Sequence, residues 1–289
     1  MKLKYCGQGC KNREVFTNMV SDITIIGIFL TILFSIGVPI AGLLVLKIRK
    51  RAKILLFLVG VSMHLLFVML LERFFLGAMA GFFPAVAQNP WLYSLMSGAA
   101  AMIFETAEFV LIIRALLPQL ERGSQPMMFA MGHAASNGTL SAGLTAMTYY
   151  SIGVIVNTDG AEELTKGLTG DELAFVNGMI QDITGDYLPF YINAVNQLLL
   201  ITMYACLAVM LWLALGGYLE KKWAAVAAGV FFLLRFLMDL GNTGGINLWV
   251  SAGLSFAVTV AFAFLTRRMY VQTEDVRPRV ASQSRPHLR

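Results

Sequence analysis

The sequence predicts an all-α, polytopic membrane helix bundle, and two observations carry this prediction. The chain of 289 residues is 57% hydrophobic and only 13% charged, whereas soluble domains average about 45–50% apolar and about 25% charged residues. Its apolar residues also lie in runs of about 20 or more, which is the length that a helix needs to cross a bilayer. A soluble enzyme does not require so many apolar residues, and a disordered chain does not tolerate them.

Seven apolar runs meet this length criterion, and we expect each to form one transmembrane helix. Backbone groups in lipid must be satisfied within their own segment, which favours helices over isolated strands. The seven predicted spans are 23–46, 54–76, 93–117, 127–156, 189–215, 223–240 and 248–265. An odd number of spans places the two termini on opposite sides of the membrane.

The distribution of Lys and Arg predicts that the N-terminus is outside and the C-terminus inside, because short cytoplasmic loops are enriched in these residues. Five basic residues lie between positions 47 and 53, directly after the first span, and six Arg follow the last span. Arg122 and the pair Lys221–Lys222 fall on the same face. Four basic residues before the first span argue for the opposite orientation but are outnumbered. The chain is therefore expected in the cell membrane as a multi-pass protein.

Three regions follow from this topology. Residues 1–22 form an extracytoplasmic segment in which Cys6 and Cys10 are free to pair in an oxidising compartment. Residues 23–268 form one membrane domain with an acidic outer loop, 157–188, where seven acids face Lys166 alone. Within this loop we expect a short amphipathic helix over 171–183, capped by Thr169 or Asp171. Residues 269–289 form a basic cytoplasmic tail.

Charged and polar residues inside the spans are the candidates for a functional site. Each costs a few kcal/mol in the membrane unless it faces a partner or a wet cavity. The third span carries two acids one turn apart, and the fourth and sixth each carry a polar pair at i, i+4, on one helix face. Six residues form this set: Glu105, Glu108, His133, Asn137, Arg235 and Asp239. A rise of about 1.5 Å per residue places them in one slab of the membrane, so we expect a single buried site.

The chemistry of this set suits proton transfer. Glu105 is the candidate general base that activates water, while His133 and Asn137 are candidates to donate hydrogen bonds to an oxyanion. Arg235 and Asp239 are the candidate charge partners, although an ion pair within one helix accounts for them equally well. No cofactor is required. A divalent metal remains open, with His133 and the carboxylates as the available ligands.

The order of these features resembles the YhfC family of intramembrane proteases, which is related to the CAAX-protease and bacteriocin-processing (CPBP) group. The resemblance rests on Phe104-Glu105 in the third span, on Gly132-His133 in the fourth, and on the late pair Arg235 and Asp239. It implies that the glutamate activates water and that the histidine assists. The motifs are degenerate: Thr106, Asn137 and Arg235 occupy positions where the family pattern has Glu, Glu and His. Glu108 is a candidate to replace one lost acid.

The sequence therefore leads to a peptidase that hydrolyses peptide bonds in or beside the membrane, acting on a membrane peptide or protein. Two alternatives stay open. One is an inactive pseudoenzyme that serves as a receptor or scaffold, and the other is a proton-coupled transporter, which the lack of internal repeats disfavours. The bilayer is the second expected partner. A nucleic-acid partner is not expected, because the basic residues lie where membrane topology alone would put them.

Overall fold

The computed structural model describes residues 19–274, and within this range the regular secondary structure consists of helices alone. We number the helices in chain order and count a helix that contains a π-helical segment as one. They are α1 (Asp22–Lys50), α2 (Ile54–Phe82), α3 (Pro84–Gln88), α4 (Pro90–Leu116), α5 (Ser124–Thr158), α6 (Ala161–Thr165), α7 (Gly170–Thr184), α8 (Leu188–Leu215), α9 (Lys222–Asn242) and α10 (Leu248–Glu274). A 3₁₀ turn, Leu117–Gln119, follows α4.

Six of these helices, namely α1, α2, α5, α8, α9 and α10, are long and apolar enough to cross a membrane. The all-helical prediction is thus confirmed for the described residues, and the molecule has the composition of a membrane protein. Six of the seven predicted spans lie within one helix each, and the third, 93–117, ends one residue beyond its helix, in the 3₁₀ turn. The remaining span corresponds to α4, a helix of 27 residues that carries Glu105, Glu108 and Arg114 and is not among the six.

Three of the long helices contain a π-helical segment that the hydrophobic runs do not predict. These segments are Leu33–Gly37 in α1, Leu65–Glu72 in α2 and Thr139–Gly143 in α5. A π-helical turn adds a residue without changing the apolar composition, so the run remains continuous in the sequence. Such turns are rare and often lie at functional sites. Two of them directly follow polar residues of interest, His64 and the Asn137-Gly138 pair.

The acidic segment 157–188 contains two short helices. The predicted helix over 171–183 is confirmed as α7, and Thr169 occupies its N-cap position but makes no capping hydrogen bond with its side chain. Its apolar side buries Ile180 and Ile183, while Asp171 and Glu172 occupy the first turn. Acids in the first turn favour a helix because they face the positive end of its dipole. Cys6, Cys10 and the basic tail beyond residue 274 lie outside the described residues.

The described residues form two compact units. Unit 1 comprises residues 19–36 and Gly138–Val195, and its apolar core includes Ile28, Val156 and Ile183. Unit 2 comprises Gly37–Asn137 and residues 196–274. The core of unit 2 is larger and contains several aromatic side chains, among them Phe109, Phe129, Tyr204, Trp212, Phe231 and Phe262.

Within unit 2, glycines let helices approach closely around the charged residues of the spans. A methyl group at Gly132 of α5 would collide with the backbone oxygen of Phe57 in α2, and one at Gly60 of α2 would collide with that of Phe129. Gly98 of α4 faces Phe236 of α9, with 3.1 Å between an added Cβ and the Phe236 nitrogen. These contacts bring α5 against α2, and α9 against α4, at the level of the charged residues.

Candidate functional site

The centre of the site is His133, whose two ring nitrogens each contact a carboxylate of α4. Nε2 lies 3.1 Å from Glu105 Oε2, and Nδ1 lies 2.9 Å from Glu108 Oε1. All three side chains are at most 1% exposed. A neutral imidazole has one N–H, so it can donate to only one of two carboxylates. Either the ring carries a second proton or one carboxyl group is protonated, and this triad therefore holds a transferable proton.

Arg235 of α9 provides the cation beside this triad. Its Nε atom lies 3.9 Å from Glu105 Oε1, and its side chain remains 18% exposed. Asp239, one turn further along α9, is the next carboxylate in the surroundings of Arg235 and faces Ser97 of α4. Arg235 is thus placed toward a different helix, α4, as well as toward its own i+4 neighbour. We call Glu105, Glu108, His133 and Arg235 the charged cluster.

Tyr204 of α8 extends the charged cluster on the side of Glu105. Its ring packs edge-on against that of His133, with 4.4 Å between ring centroids. Its hydroxyl accepts a hydrogen bond of 3.0 Å from Asn137 Nδ2 and faces Glu105. Asn137 therefore reaches Glu105 through Tyr204, and the polar groups form one chain that runs from Asn137 to Glu108.

Two polar residues of α2 border the charged cluster from the other side. The His64 ring meets that of His133 edge-on at a centroid distance of 4.6 Å and is fully buried. Glu72, at the end of the π-helical segment, is 3% exposed and lies in the electrostatic surroundings of Glu105, Arg235 and Asp239. Three carboxyl groups, those of Glu72, Glu105 and Asp239, therefore surround the guanidinium of Arg235.

Several buried polar atoms of this region have no hydrogen-bond partner among the described residues. They are Glu105 Oε1, Glu108 Oε2, Glu72 Oε2, Arg235 Nε, Asp239 Oδ2 and both ring nitrogens of His64. A buried polar group without a partner costs about 1–3 kcal/mol. Seven such atoms in one region are a large cost, and groups of this kind are satisfied by water or by a polar ligand. Arg235 and Asp239 are half-buried, whereas Glu72, Glu105, Glu108 and His64 are buried.

The structure brings together five of the six residues that the sequence singles out, namely the charged cluster and Asp239, and connects Asn137 through Tyr204. Two contributors were missed. Tyr204 lies in a long apolar run, where a lone Tyr is usually a packing residue. Glu72 stands beside Arg73 near the end of the second predicted span, which is typical of an ion pair at the membrane surface, yet Arg73 is exposed and Glu72 buried. The glycines beside His133 and Asn137 serve close helix approach.

A metal site receives no support from the arrangement of side chains. Within the described residues, no group of three or more His, Cys, Asp or Glu side chains is disposed to hold a metal ion. Both nitrogens of His133 instead contact carboxylate oxygens. The chemistry that these residues offer is proton transfer between carboxyl, imidazole and phenol groups.

In comparisons with known proteins, no family model, curated protein or solved structure matched this chain. The geometry of the charged cluster is therefore the basis for assigning a function.

Proposed function

We propose that this protein is a multi-pass protein of the cell membrane in which α4 is a seventh span, with the N-terminus outside and the C-terminus inside. The basic residues between positions 47 and 53, together with Arg122 and Lys221–Lys222, support this orientation. In this arrangement Glu105 lies in the interior of the membrane.

The charged cluster is proposed to hydrolyse a peptide bond of a membrane peptide or protein, as in the YhfC and CPBP-like proteases. The observation that carries this proposal is the open oxygen of a buried glutamate: Glu105 Oε1 has no hydrogen-bond partner and lies 3.9 Å from Arg235 Nε. A water molecule between these two atoms would be polarised by both. Glu105 Oε2 is held by His133, so the open oxygen has a fixed direction.

In the proposed reaction Glu105 takes a proton from water as the water oxygen bonds to the carbonyl carbon. The proton then passes to the amide nitrogen, and the carbon–nitrogen bond breaks. Arg235 is the donor placed to stabilise the oxyanion, and the Tyr204 O–H is free to join it once Glu105 has taken up the proton from water. Asn137 acts through Tyr204, to which it donates a hydrogen bond. His133 and Glu108 position Glu105. In this proposal His133 and Asn137 do not contact the oxyanion directly, unlike the role that the sequence suggested for them. Asp239 is proposed to position Arg235.

Cleavage of single-span peptides in proteoliposomes tests this function, with fragments identified by mass spectrometry. The substitution Glu105→Gln keeps the size of the side chain and removes the base, so turnover should fall at least about 100-fold. Glu163→Gln is the matched control, because Glu163 is exposed in unit 1 and contacts only an exposed lysine, Lys166, 3.4 Å away. Unchanged turnover in the Glu105→Gln variant would contradict the proposed mechanism. Absence of cleavage by the unmodified protein would favour the inactive receptor.

Proton-coupled transport is a second candidate because the polar groups form a continuous chain. Tyr204, Glu105, His133 and Glu108 follow one another through hydrogen-bonding contacts, and Asn137 holds the Tyr204 hydroxyl at one end of this chain. Such a chain suits the movement of a proton from group to group. Proton flux into liposomes, measured with a pH-sensitive dye and lost in Glu105→Gln, would favour this candidate over the peptidase if no peptide is cleaved. No flux in the unmodified protein would exclude it.

A further inference from the structure

A second polar feature of unit 2 lies apart from the charged cluster, at the end of the helices where basic residues are concentrated. It is a cavity of about 990 Å³. Its lining comes from the end of α1, the start of α5, the middle of α8 and the last third of α10. Neither the proposed peptidase chemistry nor the proton chain uses any of these residues.

The cavity is cationic at its mouth and apolar at its floor. Five basic residues line it, and no acidic residue does: Arg49, Lys50, Arg51, Arg122 and Arg267. All five side chains are exposed. Leu46, Val209 and Cys206 lie buried behind them, next to the buried Thr266. A ligand that fills this cavity must therefore combine negative charge with apolar surface.

Arg51 at the mouth of the cavity has a backbone conformation that is uncommon for an arginine. Arg51 has φ = 53°, which makes it the one non-glycine residue with positive φ within residues 19–274. It ends α1 in the left-handed conformation, where glycine or asparagine is preferred. An arginine in this conformation costs roughly 1 kcal/mol relative to glycine. The chain accepts this cost, and the result is a guanidinium at the mouth of the cavity.

The start of α5 adds a further attraction for anions. Arg122, Gly123 and Ser124 form the approach to this helix, and all three line the cavity. Gly123 permits the close approach of the Tyr270 ring from α10, which a Cβ atom would block. The attraction comes from the Arg122 side chain, because Pro126 has no N–H and the N–H groups of Gln125 and Met127 donate to the carbonyl oxygens of Arg122 and Gly123.

We propose that this cavity binds one anionic phospholipid, with its phosphate among the arginines and an acyl chain along the apolar wall. The positive-inside distribution of basic residues does not by itself account for the cationic lining of the cavity. Three equally exposed basic residues nearby do not line it, namely Lys47, Lys53 and Arg268. The exposed Val45 at the rim supplies an apolar exit toward lipid tails. Basic pockets between membrane helices commonly hold lipid headgroups of this kind.

Lipid binding to the full-length protein in detergent, measured by native mass spectrometry, tests this proposal. The probes are dioleoyl phosphatidylglycerol, dioleoyl phosphatidylcholine and soluble glycerol 3-phosphate. Each lost contact between a cation and the phosphate should weaken phosphatidylglycerol binding about fivefold. The triple variant Arg51→Gly, Arg122→Gln and Arg267→Gln should therefore bind it about 100-fold more weakly.

Two controls separate a specific site from general surface charge. Arg268→Gln removes the adjacent arginine of α10, which is outside the lining, and should leave binding unchanged. Arg51→Gly relieves the left-handed backbone, so it should weaken lipid binding while the protein remains as stable as the parent or more so. The proposal would be overturned if Arg267→Gln alone and Arg268→Gln weakened phosphatidylglycerol binding equally. It would also be overturned if the protein bound phosphatidylcholine as tightly as phosphatidylglycerol. Binding of glycerol 3-phosphate as tight as that of the lipid would also overturn it.

Discussion

The two units of the molecule treat charge in opposite ways. In unit 1 every described charged side chain is exposed, and the buried polar groups are hydroxyls. For example, Thr31 donates to the carbonyl oxygens of Gly27 and Phe190 at 3.1 and 2.9 Å. In unit 2 three carboxyl groups, those of Glu72, Glu105 and Glu108, are at most 3% exposed. Similar apolar helices therefore surround two different kinds of interior.

The difference indicates what the interior of unit 2 is for. A buried hydroxyl is neutral, and backbone carbonyl oxygens satisfy it, as those of Gly27 and Phe190 do for Thr31. Buried carboxyl groups require partners from elsewhere, and the charged cluster draws them from α4, α5 and α9. Such groups carry a large desolvation cost. Their concentration in one unit is the reason to assign function there.

The largest effect should come from removing the central histidine. His133→Leu leaves Glu105 and Glu108 buried without their partner, so the free energy of unfolding should fall by about 4 kcal/mol. Titration with a denaturing detergent, followed by circular dichroism, measures this loss. Combining His133→Leu with Glu105→Gln and Glu108→Gln should restore part of the stability, because the uncompensated acids are then neutral. A triple variant less stable than His133→Leu would contradict the pairing.

Adding a methyl group at the close contact between α5 and α2 should have the next largest effect. Gly132→Ala introduces a methyl group against the Phe57 carbonyl and should destabilise the protein by about 3 kcal/mol. Gly253→Ala in α10 is the matched control, because nothing lies within 4 Å of the added carbon. That control should stabilise the helix by about 0.5–1 kcal/mol. Equal effects of the two substitutions in the same detergent titration would show that α5 and α2 are not in contact.

Removing the hydroxyl of Tyr204 should have a smaller effect on stability and a clear effect on function. Tyr204→Phe keeps the ring against His133 and deletes one hydrogen-bonding group, at a cost of about 1–2 kcal/mol. If Tyr204 stabilises the oxyanion, the catalytic rate should fall while the Michaelis constant changes little. A change in the Michaelis constant alone would indicate a packing role.

The smallest effect belongs to unit 1. Tyr149 donates a hydrogen bond of 2.8 Å to Asp182 at the surface. Tyr149→Phe should change the free energy of unfolding by no more than about 0.5 kcal/mol. A loss comparable to that of Tyr204→Phe, in the same titration, would remove the contrast between the two units.

The sequence predicts the helices well because their signal is local. A run of apolar residues specifies a long helix, and Glu105 stands out because no cation lies one turn away on α4. Tyr204 and Glu72 could not be predicted in the same way, since their roles depend on α8 and α2 meeting α4 and α5. The π-helical segments and the division into two units leave no mark on hydrophobic periodicity. Arg51 was counted as a topology signal, although its left-handed backbone is visible only in the structure.

Hydroxyl-radical footprinting tests most directly whether the charged cluster is hydrated, as the proposed chemistry requires. Radicals formed from water label a side chain only where water reaches it. Tyr204 and Trp212 are each 1% exposed in unit 2, but only Tyr204 borders the charged cluster. Labelling of Tyr204 well above that of Trp212 is the expected result, even though indole is the more reactive ring. An unlabelled Tyr204, or equal labelling of both, would contradict a hydrated site and with it the role of Glu105.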